Sequence, residues 1–203
     1  GGDWRLRDIV DYELTAAMGA LENMAYYRER WLRNFYTVQK RAVSWSGAPY
    51  AFVVPPDQRD PVTTAEMLNI MQFGEVEVQQ AQAPFTADGV QYPKGSYVMK
   101  MAQPFGSFAK TMMERQVYPD LREYPGGPPQ RPYDVTAHTL PMQMGVKVVT
   151  IDRPFEASLV KVGTIAPPAG SVEGGPAKSY ILEHESNASM KALNQLMKAK
   201  AEV

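Results

Sequence analysis

The 203 residues, 44% of them hydrophobic, are enough for one large domain or two small ones with a real core, which excludes a disordered chain. The net charge of −1 and the lack of any Lys/Arg run longer than a pair argue against nucleic acid, and no apolar stretch reaches the roughly 18 residues of a membrane span. The sequence has no cysteine, which rules out disulfides, thiolate nucleophiles and cysteine-ligated metals but leaves the compartment open.

The opening "GGDWRLRDIV" is too polar for a signal peptide. The chain stops at "AEV", after a helix-like segment and where a strand would begin, so a piece of a longer protein is expected. Residues 6–43 read as helix. Val10, Leu14, Ala17, Leu21 and Met24, then Trp31, Phe35 and Val38, follow alternating steps of four and three, with Arg28 breaking the apolar stripe. A straight helix of this length would span roughly 50 Å, and Gly19 is the expected place for a bend. The stripe suits a terminal helix packed on a core or a short coiled coil. "SWSGAP" (44–49) reads as a linker.

From residue 50 the pattern becomes α/β. "YAFVVP" is a continuous apolar run, as in a strand buried on both faces. "TTAE" fits a capping box, with Thr63 accepting the amide of Glu66, and Met67, Ile70 and Met71 supply a helical apolar face. Gly74 suits the helix end, and "EVEVQQA" is the next strand. Strand, helix and strand imply a parallel βαβ unit with a right-handed crossover. "VQYPKGSYVMKM" reads as a hairpin with a type I turn at Pro93–Gly95, and "FGSFAKTMMERQ" as a short helix. "YPDLREYPGGPPQRPYD" is irregular, "GVKVVTID" is a strand, and 163–178 is a Gly/Pro-rich loop. The last segment, "SYILEHESNASMKALNQLMKAKAEV", parallels the first unit at an offset of 125, so that Leu68-Asn69 falls on Leu193-Asn194 and Glu77-Val78 on Glu202-Val203. The expectation is an α/β layered fold with a second unit truncated at its second strand.

His138 and His184 stand apart in "HTLP" and "HESN", without the close ligand pair that zinc sites usually use, so no metal site is expected within the chain. There is no G-x-S-x-G elbow, and Ser107 has no base nearby in sequence. "GSVEGGPAKS" has two glycines at phosphate-loop spacing, but Pro176 stands where the motif needs lysine and a strand is expected to follow, so it reads as a connector. "YDVTAHTLP" admits two readings. Asp134 and Thr136 can satisfy backbone amides in an ordered loop, or Tyr133, Asp134 and His138 can face a ligand at the mouth of the sheet. The 12 methionines read as core fillers.

Three blocks carry a family resemblance. "WRLRDIVDYELTAAMGALENMAYYRERWLRNFY", "DPVTTAEMLNIMQFGEVEVQQAQAPFTADGVQYPKGSYVMKMAQPF" and "YPDLREYPGGPPQRPYDVTAHTLPMQMGV" are similar to the C-terminal region of large bacterial zinc carboxypeptidase-like metallopeptidases of the carboxypeptidase A superfamily. The resemblance implies a parent whose zinc-bound water hydrolyses C-terminal peptide bonds, with the zinc held through an H-x-x-E pair and a distant His upstream of this chain. No catalytic residue carries over, and the cofactor, zinc, belongs to the parent alone. Residues 1–46 would then include the closing helix of the peptidase domain, with 47–203 as an accessory domain resembling a three-layer, flavodoxin-like or class I glutamine amidotransferase-like sheet without the nucleophile cysteine. The partner implied is the upstream peptidase domain, with a homo-oligomer also open, and the family's exported character implies the periplasm or the cell exterior. Two other classes stay open: a binding module for a small ligand or peptide, and a purely structural or oligomerisation domain.

Overall fold

The computed structural model describes residues 2–131 and 138–202, and the chain divides into two units, Gly1–Arg41 and Ala42–Val203. The first is helical. Helix α1 (Leu6–Tyr26) is followed by α2 (Arg28–Val43), whose last two residues enter the second unit. The Asp8 carboxylate accepts the Arg5 amide at 2.8 Å, which satisfies one of the donors that a helix start leaves open. The interruption falls at Tyr27 (φ −104°, ψ 27°) and not at Gly19, which lies within α1. Glycine lowers helix propensity, but it imposes no bend while the hydrogen-bond ladder is intact. Neither helix buries a side chain.

The second unit is a five-stranded sheet covered on both faces. Its strands are β1 (Ala51–Val54), β2 (Gln79–Ala81), β5 (Tyr97–Lys100), β6 (Val149–Ile151) and β7 (Leu159–Lys161), in the order β6-β1-β5-β2-β7. Every neighbouring pair is antiparallel. The expected βαβ unit is therefore corrected in one respect. Strands β1 and β2, joined through helix α3 (Pro61–Phe73), share a direction, but β5 lies between them. The backbone groups of β1 are taken by β5 and β6, so β2 has no vacancy beside it.

Period-two alternation along β1 and β5 separates two cores. Phe52, Val54, Met99 and Met101 face α3, α4 (Gly106–Met113) and α5 (Leu140–Met144), where Met67, Leu68, Met71, Ala109 and Met113 complete the packing. Ala51, Val53, Val98 and Ile151 face the other way, onto Phe85, Tyr92 and Phe155. This explains why all four β1 residues are buried. The third layer is a hairpin of β3 (Phe85–Ala87) and β4 (Val90–Tyr92). Its two-residue turn, Asp88-Gly89, has positive φ at both positions (48° and 79°), the signature of a type I′ turn. The hairpin expected at 90–101 is thus displaced: β4 pairs back to β3, while β5 pairs with β1 and β2. A turn does close at Pro93–Ser96, with Gly95 at φ 90°, which is type II geometry and not type I.

Amide side chains stand in for strand partners where the sheet runs out. Gln58 accepts the Lys147 amide and donates to its carbonyl, both at 2.9 Å. Asn69 does the same for Ile165 at 2.9 and 2.8 Å, and Gln103 for Glu77 at 2.6 and 3.3 Å. The strand expected to follow the 170–179 segment does not form. Residues 162–185 contain no helix or strand, and Ile181 is 99% exposed. An apolar, β-prone run needs a neighbouring strand to satisfy its backbone, and none lies beside this one. Helix α6 (Asn187–Lys198) does form, capped by Ser186. Among the described residues no helix is long and apolar enough to cross a membrane.

Candidate functional site

Of the three residues singled out as facing a ligand, Tyr133 and Asp134 lie outside the described residues, as does Thr136. His138 is half-buried where the chain leaving α4 meets the start of α5. Its Nε2 touches the side-chain amide of Gln116. Beside it the buried Thr139 hydroxyl donates to the Glu114 carbonyl at 2.9 Å, and Lys110 pairs with the Glu114 carboxylate at 2.5 Å. The polar groups around His138 thus tie the end of α4 to α5.

The densest polar constellation is one that sequence reasoning missed. Asp60, 8% exposed, caps two helices at once. Its Oδ1 accepts the amides of Val62 and Thr63 at 3.1 and 3.0 Å and the Ser186 hydroxyl at 3.2 Å. Its Oδ2 accepts the Thr63 hydroxyl at 2.8 Å and the Asn187 amide at 2.9 Å. The first turns of α3 and α6 therefore converge on one carboxylate, where the positive ends of both helix dipoles favour its charge. Burial alone would raise the Asp60 pKa, but the hydrogen bonds from Asn187, Thr63 and Ser186 together hold it below its ordinary value. The expected capping box at Thr63–Glu66 is corrected accordingly: α3 starts earlier, with Asp60 as cap and Pro61 in the first turn. The signal was present as Asp-Pro before a helical apolar face.

A second carboxylate, Asp88 in the hairpin turn, accepts the Asp152 amide at 2.7 Å and Arg153 Nε at 3.0 Å. The Asp152 amide and then the Arg153 guanidinium lower its pKa. Beneath it Phe155 stacks on Phe85 with ring centroids 5.1 Å apart, and Phe85 on Tyr92 at 5.3 Å.

An apolar groove of about 410 Å³ runs along α3. Val62, Ala65, Ile70, Phe73 and Pro167 line it, with Glu66 and Asn69 as its polar side chains. Pro167 is brought there because Asn69 and Gln72 hold the main chain of 162–165. Ser107 lines a smaller recess of 170 Å³ with Trp45, Met101 and Lys110. A nucleophilic serine needs a base within reach, and the Lys110 ammonium there is held by Glu114.

His184 lies on the exposed connection before α6, and His138 faces Gln116. Among the described residues no three His, Asp or Glu side chains converge as metal ligands. The glycine-rich 170–179 segment is exposed, and no helix begins at its Lys178-Ser179, so it lacks the geometry of a phosphate loop. Against known protein families, curated proteins and solved structures, the chain finds no match.

Proposed function

We propose that this chain is a non-catalytic accessory part of a zinc metallocarboxypeptidase-like protein, which packs on, stabilises or restricts access to the parent's peptidase domain. The family reading rests on the resemblance of the three sequence blocks. The non-catalytic reading rests on how the interior polar groups are used. Among the described residues, the buried polar residues of the second unit, Asp60, Thr63, Thr64, Ser96, Gln103 and Thr139, are each engaged by a helix start or by main chain, while Gln79 Oε1 on β2 is a buried side-chain oxygen without a partner. Catalytic groups are held otherwise, with donors or lone pairs aimed into a cleft. On this reading zinc belongs to the parent, the setting is the periplasm or the cell exterior, and the likeness to flavodoxin-type folds is confined to the shared direction of β1 and β2 about α3.

The purified chain is expected to carry no stoichiometric zinc by metal analysis and to release no C-terminal residue from peptides. One equivalent of tightly held zinc, or measurable exopeptidase activity, overturns the proposal. The α3 groove favours a second reading, a module that binds an apolar peptide or small ligand. Saturable binding abolished by Ile70→Asp would support that reading over the first.

A further inference from the structure

The helical segment α1–α2 carries a seam that a single helix has no means of burying. From Val10 to Val38 its seam positions step by four and three, averaging 3.5 residues. That is the period of a left-handed coiled coil, whereas a straight helix lying on a globular core drifts at 3.6. Leu14, Leu21, Met24, Trp31 and Phe35 on this seam are all exposed. Gly19, the poorest helix former in the segment, falls on the side opposite the seam, where it leaves no hole in the packing.

Charge decides the partner. Helix α1 holds Asp8, Asp11, Glu13 and Glu22 against Arg7, a net charge of −3, and α2 holds Arg28, Arg30, Arg33, Lys40 and Arg41 against Glu29, a net of +4. The helix dipole does not account for this bias, because it favours acid in a first turn, and Arg28 and Arg30 stand in the first turn of α2. Two copies side by side in parallel would set acid against acid and base against base. Turned antiparallel, the acidic half of each lies along the basic half of the other.

We propose that α1–α2 pairs with the same segment of a second copy of this chain as an antiparallel coiled coil. In the register that layers the seam, Leu14 meets Trp31 of the other copy, and Leu21 meets Met24. Arg28 falls opposite Ala17, whose small side chain leaves room for the aliphatic stem while the guanidinium reaches water. The resemblance would assign this stripe to an upstream peptidase domain. The seam period and the charge polarity favour a second copy, and the inference does not depend on the accessory reading.

Sedimentation of the full chain at micromolar concentration is expected to give twice the chain mass, falling to a monomer for Leu21→Glu. Because the chain lacks cysteine, introduced thiols report orientation directly. Leu14→Cys alone should form no disulfide-linked dimer on oxidation, since antiparallel packing separates the two sites by roughly 25 Å. Leu14→Cys mixed with Trp31→Cys should give a covalent heterodimer. A monomeric native chain overturns the proposal, as does self-cross-linking of Leu14→Cys. Either result leaves the zinc and peptidase measurements untouched, so failure of the dimer and failure of the accessory reading are told apart.

Discussion

Asp60 joins two helix starts that are far apart in the chain, and the two oxygens divide the work. Oδ1 serves α3 and the Ser186 hydroxyl, while Oδ2 serves the Asn187 amide and the Thr63 hydroxyl. Asp60→Ala removes the α3 cap and the Asn187 bond at the start of α6, leaving Ser186 on the Ala188 amide, and is expected to cost about 2–4 kcal/mol, read from the denaturant midpoint. Asp60→Asn is the sharper test. Its carbonyl can keep the α3 amides, but its NH₂ would face the Asn187 N–H, so α6 should lose amide protection while α3 keeps it. Equal loss in both helices would refute the shared cap. Because the folded pKa of Asp60 is depressed, its contribution is complete well above the ordinary value of 3.8 and is lost as pH falls through the lower folded value. The native protein should therefore lose stability in acid below about pH 4, and Asp60→Asn should flatten that part of the profile.

At the scale of elements, the hairpin β3–β4 shows how a local signal can outrank a plausible alternative. "ADGV" places Asp-Gly between Phe85 and Tyr92, and both turn residues take positive φ. No atom would crowd a Cβ added at Gly89, so the cost of substitution there is purely one of backbone conformation. Gly89→Val should cost about 1–2 kcal/mol and loosen the Phe85–Phe155 stacking, seen as altered near-ultraviolet dichroism. An unchanged melting temperature would mean that the turn carries no strain for valine. The helices were legible as elements because apolar periodicity and Gly74 marked them, yet the α3 start was misplaced by competing cap signals. The run at 179–183 has strand composition, but pairing decides strands, and composition does not report pairing.

In the whole molecule, two units and one long connection set the stability profile. Residues 162–185 are exposed from Gly170 onward and contain no regular element, whereas the sheet is covered on both faces. Within the second unit, trypsin should cut after Lys178 before it cuts after Lys100 in β5. Early cleavage at Lys100 would mean that the sheet opens more readily than the connection. Of the candidate site, His138 was legible as an isolated polar residue, but its contact with Gln116 was not, because the two belong to different elements. The apolar groove along α3 was likewise invisible, since Pro167 reaches it through bonds from Asn69 and Gln72.

The sequence by itself determined that a helical segment precedes a mixed α/β unit, the burial of "AFVV", and the separate placing of His138 and His184. These follow from local periodicity and residue chemistry, which a linear reading contains. Tertiary structure alone decided that β5 enters between β1 and β2, that a hairpin forms the third layer, and that Asp60 closes two helices. Each of these depends on which distant backbone donors and acceptors find one another, and that is settled only when the whole chain competes for the same partners.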